Sequence, residues 1–167
     1  MNEIILENNL LVGNEIDNRW FLGPFSGIKK LSAKAKGKRF EQIAEYIFKS
    51  RSLEVKKPIS SDHDRIVNGK KFEIKGSTIT QGTDDTFSFL QIRPAQDYDY
   101  LILETFWFDG KIQFYKISKK DVLKLVSNNT FKKQHGGNKA ESGTFSYNGK
   151  MSVFEKYFWF DLKVKNG

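Results

Sequence analysis

The chain has 167 residues, a formal net charge of +8, no cysteine and 14% aromatic residues, 15 of them Phe. That length suits a single domain with a substantial core, and the aromatic content excludes a disordered chain. The lack of cysteine excludes disulfides and thiolate zinc sites; no apolar run reaches a bilayer span and no basic-then-apolar leader opens the chain, so a cytoplasmic protein without a membrane partner is expected.

The basic excess is uneven. Residues 29–57 carry ten basic and three acidic side chains, residues 129–167 carry seven and three, and residues 58–128 balance. Surfaces of this kind attract nucleic-acid phosphates, although a basic surface can also serve solubility alone.

Residues 1–30 form an N-terminal arm. Trp20, Phe21 and Phe25 stand around the turn residues Gly23-Pro24 and Gly27. The arm reads as a flap covering the core or, second, as a dimerisation arm. Residues 32–127 form the core region. Ser32 is placed to cap a helix over 32–50, in which Phe40, Ile43, Ala44, Ile47 and Phe48 make one apolar stripe. Lys34, Lys36, Lys38 and Arg39 are candidates for phosphate contacts. Leu53 to Ile59 reads as a strand ended by Ser60-Ser61.

The stretch from Asp64 to Gly76 reads as a hairpin. Asn68-Gly69 supplies the two positive φ angles of a tight turn, and Phe72 and Ile74 alternate with Glu73 and Lys75. Glu73 and Lys75 then share one face, and Asp64 returns beside Glu73. Two carboxylates, with the Ile74 backbone carbonyl as a third oxygen, suit a hard divalent cation such as Mg2+. Lys75 would position a water for attack on a phosphodiester. The competing reading is a surface hairpin with Glu73 and Lys75 merely solvated. Asp62 stands two residues from Asp64 and competes for the ligand role. His63 is a candidate base, but a lone histidine is more often structural.

Gly76 to Asp85 reads as a polar loop near this site. Phe87 to Arg93 alternates as a strand, with Phe87, Phe89, Gln91 and Arg93 on one face. Tyr100 to Trp107 is a near-continuous apolar run, expected as a central strand covered on both faces. Asp109-Gly110 is a turn, Lys111 to Ile117 the return strand, and Ser118 to Asp121 a capping box opening a short helix. Residues 128–167 form a polar loop and a hairpin extension. Lys132, Lys133, Gln134, His135, Asn138 and Lys139 are candidates for DNA contact, because Lys, Gln and Asn read base edges. Asn148-Gly149 is expected as a hairpin turn leading into a long strand from Met151 to Val164.

Asp64, followed nine positions on by Glu73-Ile74-Lys75 across a hairpin, resembles the PD-(D/E)XK nuclease superfamily, over roughly residues 36–117. The family's proline before the aspartate is His63 here. The resemblance implies an α/β fold, a restriction-endonuclease-like mixed central β-sheet flanked by helices, with the C-terminal hairpin as an extension. It implies a catalytic set of Asp64, Glu73 and Lys75. It carries supporting roles to Glu41, on a first helix similar to the family's, and to Gln91, with Arg93 on phosphate; a solvated Glu41 and ordinary sheet polarity for Gln91 and Arg93 compete. The expected activity is Mg2+-dependent, sequence-specific cleavage of double-stranded DNA by a homodimer of the type II restriction kind. Mn2+ would substitute, and no organic cofactor is expected. A Holliday-junction resolvase or repair nicking enzyme with the same residues is the alternative, and a non-catalytic basic DNA-binding domain the third.

Overall fold

Two sheets meet through a bridge between Ile79 and Phe87, at the C-terminal end of the strand that follows the Asn68-Gly69 turn. The computed structural model describes residues 2–4, 20, 23–134 and 143–165. Helix α1 (Ala33–Ser50) begins where Ser32 Oγ accepts the Ala35 N–H at 3.3 Å. Its stripe of Phe40, Ile43, Ala44, Ile47 and Phe48 is buried throughout. Each large side chain so buried contributes about 1.5–3 kcal/mol, enough to hold an amphipathic helix on a sheet.

Strand β1 (Asn2–Ile4) runs parallel to the last strand. Strands β2 (Val55–Lys56), β3 (Arg65–Val67) and β4 (Lys70–Thr78) follow α1 and pair in antiparallel fashion. Asn68 and Gly69 have φ of 47° and 75°, as the tight turn requires. β6 (Tyr100–Phe106) lies parallel to β4, and β7 (Lys111–Ser118) antiparallel to β6. The Ser118 cap opens α2 (Lys119–Ser127): its Oγ accepts the Asp121 N–H at 3.2 Å. β10 (Phe158–Val164) closes a seven-stranded mixed sheet of order β1-β10-β7-β6-β4-β3-β2. A second sheet, of order β5-β9-β8, is built from β5 (Thr86–Ile92), β8 (Lys132–Lys133) and β9 (Phe145–Lys150). Among the described residues no helix is long and apolar enough to cross a membrane.

The mixed α/β class is as expected, and several details differ. The strand expected over Leu53–Ile59 contracts to β2, ahead of Pro58, which has no N–H for a ladder. Gly76 continues β4 instead of opening a loop. The C-terminal hairpin is not formed. β9 passes straight through Asn148-Gly149, because Ser88 and Phe87 on β5 pair with those two residues. Residues Met151–Tyr157 form a 3-10 turn, and β9 and β10 lie in different sheets. In the arm, Trp20, Phe25 and Ile28 are fully buried, with Trp20 4.6 Å from Phe108 and Phe25 4.9 Å from Phe106 between ring centres. Those residues cover the core.

Two core features set the sheet's tolerance to change. A Cβ on Gly76 would stand 2.2 Å from Phe40 Cγ, so glycine is what lets α1 rest on β4. Gly76→Ala is therefore expected to destabilise the chain by about 1–3 kcal/mol, read by denaturant unfolding. Glu104, the register partner of Gly76 on β6, is wholly buried, and neither carboxyl oxygen has a hydrogen-bond partner among the described residues. Burial pushes its pKa well above the carboxylate range. A pKa raised on folding stabilises at low pH, and that contribution is lost as pH rises towards the folded value. Glu104→Met should raise stability by about 1–3 kcal/mol, most strongly at alkaline pH, in thermal melts across pH; an equal or lower melting temperature would contradict this account.

Candidate active site

Strand β4 has two edges. One is paired with β6 from Phe72 to Thr78. The other is shared in sequence by three elements. β3 pairs with Lys70 to Phe72, Asp64 Oδ2 accepts the Ile74 N–H at 2.7 Å, and β5 joins through the Ile79–Phe87 bridge. Between β3 and β5 the edge is thus bonded by a side chain in place of a strand. A strand residue sends its N–H and C=O towards the same edge, so the Ile74 carbonyl faces the Asp64 side. The Asp64 N–H donates to Phe72 O at 2.9 Å, which fixes the backbone of that residue.

Side-chain alternation then distributes the charges. Phe72 and Gly76 face α1: the Phe48 and Phe72 rings are 6.0 Å apart, and Phe40 covers Gly76. Glu73 and Lys75 face the other way. Glu73 is 5% exposed, and its Oε1 accepts the Lys75 ammonium at 2.7 Å. Burial first, then the Asp64 charge and a hydrogen bond with Asp64, push the Glu73 pKa up to about 7, while Lys75 opposes the rise.

Glu41 comes from α1, on the opposite face. Its pKa is raised, by burial first and by Asp64 second, with Arg65 and Lys75 pulling it down. Asp64 lies in the plane of the sheet edge, so carboxylates from both faces reach its field. The structure therefore brings Glu41, Asp64, Glu73 and Lys75 together.

Arg65 organises this corner and was not foreseen from the sequence. Its Nη1 donates to Asp64 O at 2.6 Å and to Glu41 Oε2 at 3.4 Å, and its Nε donates to Glu45 Oε2 at 2.7 Å. The available signal was Glu41 and Glu45 four residues apart on one helix face, facing a basic residue beside the aspartate. Tyr98 was missed as well. It is buried, and its phenol is pushed up by burial and then by the Glu73 charge.

His63 is 2% exposed; its Nε2 accepts the Ile59 N–H at 3.4 Å and Ser60 Oγ lies 3.5 Å from Nδ1. Its ring holds the turn before the hairpin. It is Asp64, not Asp62, that meets β4; the Asp62 N–H instead donates to Ser60 Oγ at 3.2 Å.

Gln91 is a correction. Its strand belongs to the second sheet, where register shifts between Phe89 and Ile92. This bulge breaks the alternation expected for Phe87, Phe89, Gln91 and Arg93: Phe87, Phe89 and Ile92 are buried, whereas Leu90 and Gln91 are exposed. Gln91 has φ 56°, and its N–H donates to Gln134 Oε1 at 2.7 Å. It lies outside the Asp64 group, and Arg93 is half-buried just beyond the strand. Lys36, Lys38 and Arg39 stand on the first turns of α1, leading to Glu41, and Lys132 and Lys133 are exposed on β8. His135, Asn138 and Lys139 lie outside the described residues.

As the side chains stand, no group of three or more His, Asp or Glu among the described residues is arranged as a metal cage. Glu73 is turned to Lys75. The donor set still fits a hard cation that keeps most of its waters: Asp64, Glu73 and the Ile74 carbonyl are oxygens. A buried carboxyl held near pH 7 beside a second carboxylate is a site where added positive charge is favourable.

No protein-family model matches the sequence, and no curated protein matches it. Among solved structures the chain is similar to the bacterial homing endonuclease I-Ssp6803I, with 16% sequence identity and a TM-score of 0.48, over 76% of this chain and 86% of that one.

Proposed function

We propose that the chain is a Mg2+-dependent endonuclease that hydrolyses double-stranded DNA at specific sequences, acting as a homodimer of the type II restriction kind. The observation that supports this reading is the meeting of Asp64, Glu73 and Lys75 at the one stretch of β4 edge left to a side chain. Asp64, Glu73 and the Ile74 carbonyl would hold the cation. When bound, Mg2+ supplies positive charge for the developing phosphorane and makes a water a better nucleophile. Lys75 leaves Glu73 and directs its ammonium to the attacking water and a non-bridging phosphate oxygen. Water oxygen bonds to phosphorus and gives up a proton to solvent, the bond from phosphorus to one ester oxygen breaks, and that oxygen takes a proton from solvent. Glu41 holds the edge of the site through Arg65 and takes part in orienting the water. Lys36, Lys38 and Arg39 approach the backbone phosphates. Each site cuts one strand, so a palindromic target calls for two copies about a twofold axis.

Incubation with a mixed-sequence plasmid and Mg2+ should give discrete fragments, and Asp64→Asn or Lys75→Ala should lower the rate by about 100-fold or more. Cutting confined to a four-way junction would move the assignment to a resolvase. No Mg2+-dependent cutting of either substrate would leave only the DNA-binding reading.

The metal-free protein gives a second measure. The Glu73 pKa is raised on folding from 4.5 to about 7. Its favourable contribution is therefore complete below 4.5 and is lost as pH rises through about 7. Melting temperature should decline over that window, and Glu73→Gln should remove part of the decline. At pH 8, Mg2+ at a hundred times its Kd should return about 2.7 kcal/mol to the wild type and little to Asp64→Asn.

A further inference from the structure

The second sheet presents one face that the cleavage site does not use. On β9, Phe145 and Tyr147 turn inward, with Tyr147 4.7 Å from Phe154 between ring centres. On β5, Phe87 and Phe89 turn inward and are buried. Alternation therefore sends Ser146, Asn148 and Lys150 outward on β9, and Thr86 and Ser88 outward on β5. Register places Ser88 opposite Asn148, Thr86 opposite Lys150, and Lys132 opposite Ser146. Antiparallel partners share a face, so these six residues form one surface. Asn148, Lys150 and Lys132 are exposed, and Ser88, Thr86 and Ser146 are half-buried.

Three features give that surface a chemical character. No acidic residue stands on β5, β8 or β9; the nearby carboxylate of Asp85 pairs with Lys150 at 2.9 Å. The outward groups are hydroxyls, an amide and ammonium groups, the types that bond base edges and phosphates. At one end Leu90 follows Thr86 and Ser88 on the outward side and is 54% exposed, and the bulge turns Gln91 out beside it. Gln91 is a non-glycine residue held in the left-handed region, and the Gln134 side chain fixes it there by accepting its N–H. Strain of that kind persists only where its surroundings impose it, and it clusters at functional surfaces.

The sheet is also attached beside the proposed cleavage site. The Ser88 N–H donates to Ser77 Oγ at 3.0 Å, and the Thr80 N–H donates to Thr86 O at 2.8 Å. Ser77 is two residues from Lys75 on β4, or about 7 Å along a strand. The outer strands of a three-stranded sheet are about 10 Å apart, and the major groove is about 12 Å wide.

We propose that this outward face is the base-reading surface: it enters the major groove beside the scissile phosphate, with Asn148 and Ser88 bonding base edges and Leu90 against a thymine methyl. Lys132 and Lys150 flank it and meet phosphates. Gln91, moved out of the metal site by the bulge, belongs to this surface. The inference rests on the endonuclease reading and supplies its specificity.

The test is selection of bound duplexes from a randomised pool by the full chain without divalent cation, beside plasmid cleavage with Mg2+. The variants are Asn148→Ala, Ser88→Ala and Lys132→Ala. Wild type should enrich a defined sequence. Asn148→Ala should lose about 5- to 150-fold discrimination at one or two base pairs, with unchanged melting temperature. Ser88→Ala should relax a neighbouring position. Lys132→Ala should weaken all sequences alike and reduce the salt slope by about 1. Failure of the wild type to enrich any sequence overturns the inference. So does an Asn148→Ala variant with every base preference intact. Enrichment that the variants alter, without any cutting by the wild type, supports the reading surface and removes the endonuclease reading.

Discussion

The hydrogen bond from the Ile74 N–H to Asp64 Oδ2 is the contact on which the rest of the arrangement depends. A central strand normally gives both edges to neighbouring strands, because an unpaired backbone donor inside a sheet is costly. β4 gives its second edge to β3, then to one carboxylate, then to β5. A side chain in the place of a strand keeps the donor satisfied and opens a gap. That gap lets a carboxylate lie in the sheet plane, exposed to charges from either face. Glu73 and Lys75 approach it from one face, and Glu41 from the other.

The helix side is fixed by sterics more than by charge. Phe40 lies on Gly76, the residue after Lys75, and Phe48 lies against Phe72. These two contacts set where α1 crosses β4, and Glu41 follows from being next to Phe40. Arg65 then closes the corner by bonding both the Asp64 carbonyl and two helix carboxylates. It is 15% exposed, so these are charge-assisted bonds with limited screening. Without Arg65, Glu41 would face the Asp64 charge with Lys75 as its remaining cation, and Glu45 would keep its pair with Lys49. The ion pairs therefore position the helix carboxylates, while apolar burial provides the binding of the helix to the sheet.

The parts of this design legible from the sequence are those set by near neighbours. The α1 stripe and its Ser32 cap, the Asn68-Gly69 turn, and the Ser118 capping box are local patterns, and each stands where expected. So does the pairing of Asp64 with the Glu73–Lys75 strand, since a two-residue turn fixes hairpin register. The illegible parts depend on distant partners. The Gln91 bulge is set by β9 and by Gln134, residues that are far away in the chain. Asn148-Gly149 has the composition of a turn, but β5 offers it a ladder, and the ladder wins. Arg65 is an ordinary strand residue until the Phe40–Gly76 contact brings Glu41 and Glu45 over it.

Glu73 and Glu104 show how one residue type takes two characters on adjacent strands. Both are buried, and burial raises the pKa of both. Glu73 is in register with Leu101, and Glu104 with Gly76. Residues three apart on β4 point to opposite faces, so Glu104 faces α1 and Glu73 faces away from it. Around Glu104 burial is the sole cause of the shift, and its oxygens meet no polar partner among the described residues. A carboxyl sealed in that way is shielded from solvent. Around Glu73, Lys75 and Asp64 compete with burial, and the gap in the β4 edge lies beside it. Its pKa is therefore held at about 7, where the group can gain or lose its proton. The face that each position takes on two parallel strands thus decides whether a buried carboxyl meets charged partners, as Glu73 does, or meets none among the described residues, as Glu104 does.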